Sequence, residues 1–320
     1  MKITVTGGAG FIGANLVRTL LGTGVAEAVT VLDDLSSGCK ANLDGVDGAS
    51  LRVGSILDDE ALDEVFAEAD AVVHLAARPS VLKSVQDPLT SHEVNATGTL
   101  EVLEAARRAG NLHTVLASSS SVYGANPILP KHEDLAPVPV SPYGASKLAT
   151  ESYALAYAAS FQLPVLAFRF FNVFGPLQPA DHAYAAVIPA FVSAAVERRP
   201  LPVHGDGKQT RDFTYVGSVC QIIAEALRRQ TISPGPVNLA FGSRRTLLEV
   251  IDVLEGILGR VLEVEHTPPR PGDVRDSQAD QHRLRTLFPD AAPVPFEQGL
   301  RATVDWFLGG QGSRVGGSAP

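Results

Sequence analysis

Tyr143 and Lys147 stand four residues apart in SPYGASK, residues 141–147. Four residues is close to one helical turn, so a helix here sets a phenol and an ammonium on one face. Ser141 suits the N-cap and Pro142 the first helical position, which gives the segment a defined start. A cation beside a phenol lowers the phenol's pKa, and a tyrosinate formed near neutral pH acts as a general base. In isolation the same pair also serves packing plus a surface charge. A second polar cluster bears on the choice. ASSSSVYG (117–124) completes the apolar HTVLA (113–117), which reads as a buried strand. Ser118, Ser119, Ser120 and Ser121 either end that strand or set a hydroxyl against a reacting group.

TGGAGFIGANL (6–16) places Gly7, Gly10 and Gly13 where a strand turns into a helix. A side chain there would keep a pyrophosphate off the backbone, and the helix N-terminus adds N–H donors and positive potential. Asp33 closes the next strand about twenty residues on, where a ribose-binding carboxylate belongs. Asp33 followed by Asp34, with no arginine near in sequence, would repel a 2′-phosphate. The expected cofactor is therefore NAD rather than NADP. Its oxidised nicotinamide would be a second cation acting on the Tyr143 phenol.

These residues need elements to hold them. Apolar runs at 3–6, 28–33, 50–54, 71–76, 114–118 and 165–169 read as strands, and helical periodicity fills 11–22, 58–67, 94–109 and 142–161. Alternating units whose strands are continuously apolar imply a parallel sheet covered on both faces. The expected fold class is α/β, a doubly wound, Rossmann-like parallel sheet with a second, smaller substrate lobe. Residues 1–171 form the nucleotide-binding part, to which 212–241 returns. Residues 172–211 and 242–308 form the lobe; the second half of the chain carries helices at 185–198, 215–229, 246–258 and 297–308 and a strand at 236–240. The tail 309–320, GGQGSRVGGSAP, reads as flexible.

Composition excludes several classes. The chain has 320 residues, 45% of them hydrophobic, enough for a sizeable core. Its formal net charge of −9 argues against binding a nucleic-acid backbone. Cys39 and Cys220 lie far apart and outside any CxxC pattern, and the eight histidines are scattered, so no metal is expected. No apolar run reaches the length of a membrane span, and the start lacks the apolar region of a signal peptide. The expected location is cytoplasmic.

Taken together, TGGAGFIG, the Asp33 strand end, HLAA (74–77), SSSSVYG, SPYGASK and RFFNVFGP (169–176) resemble the extended short-chain dehydrogenase/reductase family. Within it they look most like the UDP-sugar 4-epimerases. The resemblance implies a tightly held NAD, reduced and reoxidised within each turnover, and a homodimer. It assigns Ser119 to the reacting hydroxyl, beside Tyr143 and Lys147, with Ser120 as a second contact. Along the cofactor it implies Phe11 and Ile12 in the glycine turn, Ser37 and Gly38 after Asp34, and Ser55 and Ile56 after the third strand. It adds Leu75, Ala76 and Ala77, then Asn95 and Phe170. For the substrate it implies Asn172, Arg211 and Arg270 on the diphosphate and Asp273 near the nucleoside. Gln178, Ala186, Val187 and Ser277 fall at the sugar pocket.

Departures sharpen the branch. Related 4,6-dehydratases follow the reacting serine or threonine with an Asp-Glu pair, and UDP-glucuronate decarboxylases keep a glutamate before the VYG. Here those positions are Ser120 and Ser121. Without an acid to expel a hydroxyl, what remains is oxidation at C4 and return of the hydride. The small Ser277, and Pro79 where several glucose/galactose epimerases carry lysine, favour UDP-GlcNAc/UDP-GalNAc over UDP-Glc/UDP-Gal. A UDP-glucuronate epimerase, a dehydratase or a net dehydrogenase is the alternative. Ser55 replaces a common aspartate near the adenine.

Overall fold

The computed structural model describes residues 1–180, 185–268 and 275–309. Seven parallel strands form its central sheet: β1 (Lys2–Thr6), β2 (Ala28–Asp33), β3 (Ala49–Val53), β4 (Ala71–His74), β5 (His113–Ser119), β6 (Val165–Phe170) and β7 (Val237–Leu239). Their spatial order is β7-β6-β5-β4-β1-β2-β3. The order reverses between β1 and β4, and a crevice opens beyond the strand ends at such a reversal. This is the doubly wound α/β sheet expected from the alternating apolar runs.

Both faces are covered. On one, Leu16, Val17 and Leu20 of helix Phe11–Gly22 pack with Val219 and Ile223 of helix Val216–Arg228 against β1 and β2. On the other, Leu62, Phe66, Val102, Leu103, Ala154 and Tyr157 close the core. A separate cluster, with Phe174, Phe191, Phe213, Val250, Leu254, Phe296 and Val304, is the core of the lobe. The lobe's strands are short pairs. Leu201–His204 runs with Val264–Thr267, and Thr210–Asp212 runs against Arg244–Thr246.

Several boundaries differ from expectation, for local reasons. β4 stops at His74 instead of running to 76, because Leu75, Ala76 and Ala77 leave the sheet to face the glycine turn. The helix expected at 94–109 begins as a π-helical turn, Glu93–Thr97, before the α-helix Gly98–Arg108. Two short helices, Val81–Gln86 and Pro88–His92, were not expected. They start at the caps Ser80 and Asp87 and are too short to carry a periodic apolar pattern. Helix Pro142–Phe161 starts as read: the Ser141 side chain accepts from the Gly144 N–H, and Pro142 takes the first position. Of the tail, only Gly309 lies within the described residues.

Candidate active site

β5 and helix Pro142–Phe161 bring the polar residues together. The Ser119 side chain lies beside the Tyr143 phenol and acts on its pKa. Ser119 Oγ also accepts from the Ser121 N–H at 3.1 Å, which holds the end of the strand. The Tyr143 backbone N–H donates to Ser84 Oγ at 3.0 Å, so the unexpected helix Val81–Gln86 helps to place it. Lys147 is buried, and its Nζ donates to the Ala117 carbonyl at 2.9 Å.

Burial sets the pKa directions of the pair. Burial pushes the Tyr143 phenol up, and the Ser119 side chain offsets part of that. Burial pulls the Lys147 ammonium down to about 8. The expected depression of the phenol by Lys147 is not among the causes of this shift. The shared helix face is present, yet Nζ turns to the strand carbonyl.

The glycine turn sits where β1 meets the chain leaving β4. Gly7 has φ +73°, and a Cβ there would lie 2.6 Å from the Ala76 nitrogen. A Cβ on Gly13 would lie 2.2 Å from the Gly7 carbonyl oxygen. Neither position can carry a side chain without moving backbone. Asp33 ties this turn in place, since its carboxylate accepts from the Ala9 and Leu35 N–H groups, each at 2.9 Å. Burial pushes that carboxyl up, and the backbone donors pull against it. Gly38 packs on the carboxylate, where a Cβ would come within 2.8 Å of Oδ1. Asp34 accepts from the backbone and hydroxyl of Ser36.

A cavity of about 570 Å³ runs over these groups. Gly7, Gly10, Phe11, Ile12, Gly13, Asp33, Asp34, Ser37, Ser55 and Ile56 line one stretch; Leu75, Ala76, Ala77, Ser119, Tyr143, Lys147, Phe170, Asn172 and Gln178 line the rest. The wall fits NAD: a side-chain-free turn opens onto a helix N-terminus, with a buried carboxylate at the end of the next strand. Asn95 is corrected from a cofactor contact to a support behind the wall. Its amide is occupied by both backbone groups of Arg78 and by Ser146 Oγ. Arg78 and Lys83 also line the cavity and were missed by the sequence reading. They come from the segment whose helices had no periodic signal.

A second cavity of about 250 Å³ shares Asn172 and Val173 with the first. Ala186, Val187 and Arg211 line it as expected, together with Phe213, Pro202, His204 and Leu247, which sequence reasoning missed. Asn172 has φ +33°, and its Nδ2 donates to the Asp212 carbonyl at 3.1 Å. Arg211 Nη1 donates to the carbonyls of Thr210 and Arg275 at 2.8 and 3.0 Å. Gln178 Nε2 donates to the Val173 carbonyl at 3.2 Å, while its Oε1 is buried with no hydrogen-bond partner among the described residues. Two expected substrate contacts are displaced. Ser277 lies along strand Thr210–Asp212, its N–H on the Thr210 carbonyl, and lines neither cavity. Ser120 enters the 3₁₀ turn Ser120–Val122 and also lines neither. Arg270 and Asp273 lie outside the described residues.

The model of the NAD dependent epimerase/dehydratase family matches residues 3–240, the stretch that builds the sheet and both walls of the first cavity. The chain belongs to that family. As a member it is an NAD-dependent enzyme of the extended short-chain dehydrogenase/reductase type. It is 36% identical to a UDP-glucose 4-epimerase of Mycolicibacterium smegmatis, over 96% of this chain and 98% of that one. It is 35% identical to a dTDP-glucose 4,6-dehydratase of Streptomyces niveus, over 96% and 93%. A solved UDP-N-acetylglucosamine 4-epimerase of Methanobrevibacter ruminantium, in complex with UDP-N-acetylmuramic acid, superposes with a TM-score of 0.90 at 34% identity. That superposition covers 97% of this chain and 98% of the other. Among the described residues no helix of this family member is long and apolar enough to cross a membrane, and no group of side chains is suited to a metal.

Proposed function

We propose that the chain is a UDP-hexose 4-epimerase that inverts C4 through a 4-keto sugar, with UDP-GlcNAc and UDP-GalNAc favoured over UDP-Glc and UDP-Gal. One observation carries the choice of reaction. Among the described residues the only carboxylates lining the first cavity are Asp33 and Asp34, at the glycine turn, and the wall around Ser119 and Tyr143 has none. Expelling a sugar hydroxyl needs a placed acid, so the site supports proton removal at O4 and not elimination.

Bound NAD supplies hydride acceptance and return at C4, together with a positive nicotinamide that favours the tyrosinate. The chain's own residues do the rest. Tyr143 takes the O4 proton while Ser119 Oγ holds that oxygen, and Tyr143 gives the proton back when C4 is reduced from the other face. Lys147 holds the nicotinamide ribose, and Asp33 receives the adenosine ribose hydroxyls. Asn172 and Arg211 hold the diphosphate at the junction of the two cavities, a guanidinium being suited to its oxygens. The base occupies the second cavity, against Phe213 and Leu247. The preference for the N-acetylated substrate rests on the family resemblance at Gln178 and Ala186, which line the first and the second cavity. The first cavity shares Asn172 and Val173 with a second one large enough for a nucleobase, which supports a nucleotide sugar as the occupant of both.

We read the active form as a homodimer. In support, Val85, Leu89 and Tyr153 are exposed on helices Val81–Gln86, Pro88–His92 and Pro142–Phe161, which pack together. The test of the function is incubation of purified protein with UDP-GlcNAc and with UDP-Glc, without added cofactor. The expected product is the C4 epimer by NMR, formed faster from UDP-GlcNAc. No epimer from either sugar sinks the proposal.

A further inference from the structure

We infer that Ser118, the serine before the reacting one, is a positioning residue that fixes Lys147 and the end of β5 by way of a buried ion pair. The inference rests on the proposed role of Lys147 at the cofactor. Ser118 and Arg169 are direct cross-strand partners on β5 and β6. Both converge on Glu151, which follows Lys147 by one helical turn. Arg169 donates to the Glu151 carboxylate in a fork, Nη2 to Oε1 at 2.6 Å and Nε to Oε2 at 3.0 Å. Ser118 Oγ lies 2.8 Å from Oε2 and 3.2 Å from the Lys147 carbonyl, sharing its one proton between them. Ser118, Glu151 and Arg169 are all buried.

The consequence falls on Lys147. Its Nζ is held by the carbonyl of Ala117 and its own carbonyl by the hydroxyl of Ser118, so two consecutive strand residues grip the lysine from both ends. A long side chain held only at its tip would sample other rotamers. Holding the backbone as well fixes where Nζ can reach. The same strand end carries Ser119, so a shift of β5 relative to the helix would also move Ser119 away from Tyr143. Glu151 and Arg169 form the anchor, and Ser118 is the group that transmits it. A buried pair of this kind is costly to break, so Ser118 is the position where the linkage can be cut while the pair stays intact.

The experiment compares Ser118→Ala and Ser118→Cys with the wild-type chain in three measurements. These are steady-state epimerisation, NAD titration of cofactor-stripped protein by calorimetry, and thermal melting. Removing one buried hydrogen bond in Ser118→Ala is expected to lower kcat about tenfold and weaken NAD binding about fivefold, with sugar KM within about twofold. Ser118→Cys, a weak donor of nearly the same size, is expected to fall between the two. If Ser118→Ala fails to fold, the cysteine variant carries the same comparison. Unchanged kcat and NAD affinity, whatever the melting temperature, overturns the inference. So does a rise confined to sugar KM. The NAD titration reads Ser118 even if no UDP-sugar is turned over, so failure of the proposed activity and failure of this inference are separable.

Discussion

The end of β5 with helix Pro142–Phe161 and the lobe around Arg211 are two different kinds of site. In the first, Ser119, Tyr143 and Lys147 are each held by a named partner, on a strand buried on both faces and on the helix packed against it. In the second, the walls come from short strands and separate segments, with Phe213, His204 and Leu247 meeting beside Arg211. Chemistry that needs positioning to a fraction of an ångström sits on the rigid part. In the proposed assignment, substrate choice falls where one side chain can change without moving a sheet.

Substitutions in the two regions should therefore fail differently. The largest effect is expected from Tyr143→Phe. It removes the proton-transfer group, so turnover should fall by roughly three orders of magnitude while NAD stays bound, read by kinetics and cofactor content. Retention of full activity would place the base elsewhere.

A pH effect at Lys147 comes next. Its folded pKa of about 8 lies below the ordinary 10.5, so above pH 8 the folded chain sheds a proton that the unfolded chain keeps until about 10.5. Below pH 8 both states are charged and the cost of burying the cation is present in full; it is relieved as pH rises toward 10.5. In melting curves the wild-type chain should gain on Lys147→Met by roughly 3 kcal/mol across that window. Turnover that depends on the ammonium should instead fall above pH 8. Parallel stability profiles for the two proteins would mean that Lys147 is not buried as a titrating group.

In the lobe the effects should appear in binding. Arg211→Ala is expected to raise sugar KM by about thirtyfold with kcat nearly unchanged, the worth of a charged hydrogen bond. An equal loss in kcat would mean that Arg211 acts in the transition state. The smallest effect is expected for Gln178→Leu. The substitution should cut kcat/KM about fivefold for UDP-GlcNAc, and the same measurement with UDP-Glc reads whether the loss belongs to the acetamido group. An equal loss with both sugars would separate Gln178 from the acetamido group.

Sequence made the rigid part legible because its signals are local. The Ser141–Pro142 start, the four-residue spacing of Tyr143 and Lys147, and the strand-to-helix glycine turn each operate within a few residues. Direction was not legible. Spacing puts Lys147 on the face of Tyr143 but does not say that Nζ turns to Ala117. Nor could it show Ser84 reaching the Tyr143 N–H, because Ser84 comes from a six-residue helix with no periodic pattern. Asn95 was read as a contact, although its amide is spent on Arg78, a link formed across the fold. The second cavity was least legible. Phe213, His204 and Leu247 meet there from separate segments, and Ser277, small enough to suggest a pocket, lies along a strand edge instead.

The position of a label at C4 tests the proposed chemistry most directly. A UDP-hexose carrying deuterium at C4 is incubated with the purified protein in ordinary water, and the product is read by NMR. Removal and return of hydride in one site without elimination should leave the deuterium at C4 in both epimers. Deuterium delivered to C6 of a 4-keto-6-deoxy sugar would contradict it, because the hydride would then have returned after loss of a hydroxyl.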